Sequence, residues 1–273
     1  MQSISDTASV LLCDDEKTYR FIEAMITSIT GSLRSKRIHV GMDEAMDLGL
    51  GRFLQQHGYE NGFSIIRRHL SRVLEITRRH GLSAMMWSDM YFRLASKTGD
   101  YYDLEGQVPK EVIETAPKDM DLVYWDYYHE DEGFYEEYIK RHKEFPGRVV
   151  FAGGLWSWST MVIHNGHALR TSIPALKQCR KQGVDEVYAT IWGDDGAACP
   201  QMSSLLGLQL YAEYTFSSDV SMELLKDRFA ACTGEDMDAF LALSRMDVLE
   251  ETPAGDPLPP DESYATRELL YND

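Results

Sequence analysis

Basic side chains are scarce in this 273-residue chain: 27 Lys+Arg stand against 44 Asp+Glu, a formal charge of −17. Nucleic acids and anionic membrane surfaces are gripped through concentrated Lys and Arg, so neither is expected as a partner. Apolar residues make up 44% of the chain, yet no apolar run approaches the ~20 residues of a bilayer span. Met1–Asp6 lacks the basic-then-apolar order of a secretory signal, which points to the cytoplasm. The four cysteines, Cys13, Cys179, Cys199 and Cys232, are scattered without a Cys-x-x-Cys pair. That argues against a disulfide scaffold and a zinc site, and suits a reducing compartment. No glycine-rich dinucleotide fingerprint follows a strand, no Gly-x-Ser-x-Gly elbow is present, and nothing has metal-ligand spacing. No cofactor is expected.

What the chain does have is a beat. Short apolar segments at Arg37–Val40, Ser83–Trp87, Leu122–Trp125, Val149–Ala152 and Val187–Ile191 predict five strands separated by amphipathic helices. In the clearest helix, Gly62 to His80, Ile66, Leu70, Val73 and Leu74 share one face while the arginines fall largely elsewhere, and Gly81 ends it. Other helices are expected at Glu16–Thr30 and around Val108–Glu114, Gly133–Glu144 and Ile173–Gly183. Alternating strands and helices make βαβ units and a parallel α/β sheet, either open and doubly wound or a (β/α) barrel. Residues 1–217 carry this pattern. Residues 218–273 read as a C-terminal helical segment with a Pro-rich loop, Thr252–Pro260.

In parallel α/β folds ligands bind at the strand ends. The first strand runs through His39-Val40-Gly41-Met42-Asp43-Glu44, a glycine followed by two adjacent carboxylates. Like charges this close push one pKa upward, and a raised carboxyl is what a general acid needs near neutral pH. The bland alternative is that the pair opens a helix, where carboxylates favour the dipole. The tryptophans weigh against it. All five, Trp87, Trp125, Trp156, Trp158 and Trp192, lie at or just past predicted strand ends. Indole faces stack on the C–H faces of sugars, so tryptophans around carboxylates suggest a carbohydrate site.

The segment His39-Val40-Gly41-Met42-Asp43-Glu44 resembles the His-x-Gly-x-Asp-Glu signature of family 20 glycoside hydrolases, the β-N-acetylhexosaminidases. Trp87 in Met-Met-Trp-Ser-Asp-Met, Trp125 in Val-Tyr-Trp-Asp-Tyr-Tyr and Trp192-Gly193-Asp194 resemble that family's strand-five, strand-six and strand-eight segments, in the same order. The resemblance spans roughly Asp14 to Leu210. It implies a (β/α)8 TIM barrel of which strands four to eight are present. It also implies hydrolysis of terminal non-reducing β-linked GlcNAc or GalNAc with retention, the nucleophile being the substrate's own acetamido oxygen. Glu44 would be the general acid and then base, and Asp43 would orient the acetamido group. Trp87, Trp125 and Trp192 would line the sugar site and Asp194 would bond distal hydroxyls. His39 would hold a carboxylate, the alternative being a satisfied core histidine.

The chain departs from the family pattern in three places. The first three barrel strands, with the family's strand-one Arg, have no counterpart, and an open strand edge invites self-association. The Tyr expected after strand seven to bond the acetamido carbonyl is not visible; Gly153-Gly154-Leu155-Trp156 stands there, and Tyr127 or Tyr128 are the candidates to replace it. The helical region after the barrel looks shortened. Two other readings stay open: a retaining glycosidase with a second acid such as Asp89 or Asp194, and a non-catalytic half barrel that binds sugars.

Overall fold

The computed structural model describes residues 4–158, 160–194 and 199–247. Five strands alternate with helices, the parallel α/β arrangement of an incomplete (β/α) barrel. The strands are β1 (Arg37–His39), β2 (Ser83–Trp87), β3 (Met120–Trp125), β4 (Val149–Gly154) and β5 (Val187–Thr190). The first seven helices are α1 (Glu16–Thr30), α2 (Arg52–His57), α3 (Gly62–Arg79), α4 (Asp89–Ala95), α5 (Lys110–Thr115), α6 (Glu132–His142) and α7 (Asn165–Lys181). After β5 come α8 (Leu205–Phe216), α9 (Met222–Thr233) and α10 (Met237–Leu243). The anticipated Pro-rich loop lies outside the described residues. Among the described residues no helix is long and apolar enough to cross a membrane.

The chain divides into two compact units, Met1–Tyr124 with Arg141–Val149, and Trp125–Lys140 with Val150–Asp273. In the first, β1 pairs in parallel with β2, Ile38 opposite Ala84, and β2 with β3, Met86 opposite Leu122. Ala84, Met85 and Met86 are all buried, the unbroken apolar run of a strand covered on both faces. Helix α3 starts where the Asn61 side chain accepts the Phe63 N–H, and ends before Gly81, whose φ of 64° suits glycine. Its apolar face packs with α1: Tyr19, Ile22 and Ile26 meet Val73 and Ile76. The arginines of α3 pair with acids at or just before α1. Arg68 pairs with Asp14 at 2.9 Å, Arg72 with Glu16 at 2.8 Å and Arg79 with Glu23 at 3.0 Å. The N-terminal segment folds back on the start of α2, where buried Asp6 accepts the amides of Phe53 (2.6 Å) and Gly49 (3.1 Å).

In the second unit β4 and β5 run parallel, Phe151 opposite Val187 and Gly154 opposite Thr190. All six residues of β4 are buried. Its two glycines are required by close approach: a Cβ at Gly153 would land on the Tyr211 hydroxyl, and one at Gly154 would stand 2.6 Å from Tyr127 and 2.8 Å from Trp158. The core is built from Leu155, Leu169, Leu176, Leu206, Leu210 and Phe229, joining β4 to α7, α8 and α9. Helix α7 begins eight residues earlier than its apolar periodicity indicates, at Asn165 rather than Ile173. Its first two turns carry Asn, Gly and His, and the internal Pro174 reads in sequence as a start.

Candidate active site

Among the described residues the segment after β1 gathers the most positive-φ positions without glycine. Gly41 has φ 75°, and two non-glycine residues follow it into positive φ, Met42 at 79° and Glu44 at 47°. Such conformations cost a side-chain-bearing residue about 1–3 kcal/mol each and persist where surrounding bonds fix them. Those bonds are present. The Gly41 carbonyl accepts the Trp87 amide at 3.0 Å, extending the β1–β2 pairing to the glycine. The Glu44 amide donates to Asp89 Oδ2 at 2.9 Å. Asp89 opens α4 directly after β2 and is only 6% exposed. Ser88 beside it is buried, donating its hydroxyl to the Val123 carbonyl and meeting His142 Nε2 at 2.7 Å.

Asp43 and Glu44 both reach the surface. Burial of its carboxyl raises the Asp43 pKa, opposed by a hydrogen bond from its own backbone. The cause is therefore loss of water rather than the repulsion between neighbours expected from the sequence. A cavity of about 450 Å³ supplies the surroundings: it borders Asp43 and His39 and is otherwise lined mostly by apolar side chains, among them Val40, Met42 and Leu48. Among the described residues His39 holds no carboxylate. Its Nδ1 accepts the Gly41 amide at 3.1 Å, its buried Nε2 has no hydrogen-bond partner among them, and its ring lies 4.4 Å from the Trp87 ring. Burial drops its pKa to about 4, so the ring is neutral. The first unit thus gathers His39, Asp43, Glu44, Trp87 and Asp89. Tyr101, which sequence patterns do not single out, joins them: its phenol feels the charges of Glu44, Asp89 and Asp43.

The remaining aromatic candidates sit in the second unit. Trp125 and Tyr127 stack at 5.3 Å, Tyr128 meets Trp156 edge-on at 5.7 Å, and Trp156 lies 4.7 Å from Trp158. Trp192 donates its indole N–H to the Tyr127 hydroxyl at 2.9 Å, and Ser157 bonds the Trp192 carbonyl at 2.7 Å. Exposure sorts them. Tyr128 is 38% and Trp192 37% exposed, faces a ligand can reach, whereas Trp156 is 2% and Tyr127 5% exposed. Asp194 is exposed. Asp126 is wholly internal, accepting the Tyr128 and His129 amides and pairing with His129 Nδ1 at 2.8 Å.

Residues 2–140 match the family described as "Glycosyl hydrolase family 20, catalytic domain", just over half the chain. The chain belongs to glycosyl hydrolase family 20. His39, Asp43, Glu44, Trp87, Trp125, Tyr127 and Tyr128 all fall inside the matched stretch of the family 20 domain; Trp156, Trp192 and Asp194 lie beyond it. The structure is similar to that of a β-N-acetylhexosaminidase from Bacteroides fragilis NCTC 9343, at 12% sequence identity and a TM-score of 0.44. The likeness covers 99% of this chain and 49% of that one, so this chain spans about half the length of the solved relative. No curated protein sequence matches it.

Proposed function

We propose that this family 20 chain carries the catalytic carboxylates of an exo-β-N-acetylhexosaminidase, which removes terminal β-linked N-acetylhexosamines with retention. One observation carries the reading: two adjacent carboxylates at the end of β1 stand on a strained backbone that Asp89 fixes through the Glu44 amide. Adjacent side chains cannot flank a glycosidic bond as a separated acid and nucleophile do. They suit a mechanism in which the substrate's acetamido oxygen attacks the anomeric carbon, the family's exception to the two-carboxylate scheme.

In this mechanism Glu44 protonates the glycosidic oxygen as the bond to the anomeric carbon breaks. The acetamido oxygen closes on that carbon to give an oxazolinium ion and the leaving alcohol departs. Asp43 accepts the acetamido N–H and balances the positive charge that develops. Glu44 then takes a proton from water, which opens the oxazolinium from the face the leaving group vacated. Trp87 is the proposed sugar contact of the first unit; in the second, the exposed rings of Tyr128 and Trp192 are proposed sugar contacts, with Trp125, Tyr127 and Trp156 holding those two rings, and Asp194 is a proposed hydroxyl contact. Self-association through the β1 edge is proposed as well. The two-carboxylate alternative fares worse at Asp89, whose Oδ2 is committed to a backbone amide and whose side chain is nearly enclosed.

The test is hydrolysis of a chromogenic N-acetyl-β-glucosaminide by the chain, beside Glu44→Gln and Asp43→Asn. Turnover falling at least about a hundredfold in Glu44→Gln is expected for loss of a general acid. Equal rates in wild type and mutant would overturn the assignment.

A further inference from the structure

Helix α4 serves two loops from one side. Asp89 and Arg93 are four residues apart, one helical turn, and so share a face. Asp89 holds the Glu44 amide at 2.9 Å. Arg93 donates to the Gly99 carbonyl and lies over the Tyr101 ring, 5.0 Å from its centroid. Gly99 has φ 77°, a left-handed conformation that favours glycine. The same loop is fastened at its far end. Arg141 donates to the carbonyls of Asp103 (3.3 Å), Gly106 (3.1 Å) and Leu104, while Ser96 Oγ bonds Asp103 at 2.8 Å. Residues 96–107 are therefore a braced wall beside the carboxylates.

Tyr101 is the part of that wall the carboxylates act on. Its ring is half-exposed while its hydroxyl oxygen is enclosed by protein. Burial and then the charge of Glu44 push the phenol up to about 12, with Asp89 and Asp43 acting more weakly and Arg93 opposing. The phenol stays neutral across the working pH range, and the helix whose Arg93 holds this loop is the one whose Asp89 holds the Glu44 amide. On the proposed mechanism Asp43 marks the acetamido side of the sugar. Glu44 marks the glycosidic oxygen and everything beyond it.

We propose that the loop 96–107 forms the leaving-group side of the site, with the half-exposed ring of Tyr101 packing against the departing sugar. The inference rests on the hexosaminidase reading. The ring, not the hydroxyl, makes the contact: sugar C–H faces pack on aromatic faces, and the hydroxyl is already enclosed.

The experiment compares the full chain with its Tyr101→Phe and Tyr101→Ala variants on two substrates. N,N′-diacetylchitobiose has a sugar leaving group; N-acetyl-β-glucosaminyl azide has none. Tyr101→Ala is expected to lower kcat/KM on the disaccharide roughly five- to tenfold more than on the azide, mostly through KM, with Tyr101→Phe within about twofold of wild type. Equal losses on both substrates would make Tyr101 merely structural, and no loss would remove it from the site; either overturns the inference. If wild type turns over neither substrate, the hexosaminidase reading fails, and calorimetric binding decides the inference. Chitobiose must then bind more tightly than free GlcNAc, and Tyr101→Ala must abolish that gap; an unchanged gap, or none in wild type, overturns it.

Discussion

One backbone amide carries much of the order at the carboxylates. With Met42 at φ 79° and Glu44 at φ 47°, the segment would relax without an anchor, and the hydrogen bond from the Glu44 amide to Asp89 Oδ2 supplies it. Such a bond contributes about 0.5–1.5 kcal/mol, and leaving the donor unpaired costs about 1–3 kcal/mol. Asp89→Ala should therefore lower kcat on a chromogenic N-acetyl-β-glucosaminide by roughly ten- to a hundredfold with little change in KM, because the acid is misplaced while the sugar contacts remain. Asp89→Asn keeps an oxygen to accept and should lose less. Steady-state kinetics on the two variants decide it: wild-type kcat in Asp89→Ala would leave Asp89 with no positioning role. The sequence offers Asp89 no such role, because its partner is an amide 45 residues away, and amides are the same at every position. Asp43 and Glu44 can be proposed from the sequence because two adjacent carboxylates stand out without any structure. Tyr101 was not, because the arginines that bring its loop to the carboxylates carry no motif.

At the scale of elements, the strands and the longer helices were readable because each repeats its apolar pattern often enough to be counted. The six-residue α2 and seven-residue α4 are too short to repeat it. Helix α4 hides further by burying Met90, Tyr91 and Phe92 in succession, leaving no polar stripe. That the least legible helix holds both Asp89 and Arg93 explains why the fold was easier to read than the site. Strand β4 makes the opposite point, since its glycines are set by what faces them. Gly153→Ala places a methyl on the Tyr211 hydroxyl, and overpacking of this kind destabilises by about 1–3 kcal/mol. Tyr211→Phe removes that oxygen and should recover part of the loss. A double-mutant cycle of urea midpoints measures the coupling; strictly additive effects would show that the contact does not set the glycine.

For the molecule as a whole, acid should act before the ordinary carboxylate range is reached. Burial lowers the pKa of His39, His69, His164 and His167 from 6.5 to about 4. The unfolded chain then takes up protons below pH 6.5 that the folded chain refuses until about pH 4. Stability is thus fully present above 6.5 and is lost as pH falls through that window. Asp43, raised by burial, works the other way and gains as pH falls. Between pH 7.5 and 5 each of these imidazoles, His164 and His167 among them at 1% and 5% exposed, should cost roughly 1–2 kcal/mol. Urea unfolding at the two pH values measures the loss, and His167→Gln should flatten the difference. An equal midpoint at both pH values in wild type would show that the buried imidazoles do not govern acid stability.

The Asp6 carboxylate, bonded to the amides of Gly49 and Phe53, has a consequence in time. During synthesis Asp6 emerges 47 residues ahead of Phe53, which at about 5–20 residues per second means roughly 2–10 s without its partners. The turn that follows the carboxylates is closed by a residue made earlier and left waiting. The ribosome must therefore deliver the beginning of α2 before the segment around Asp6 can settle.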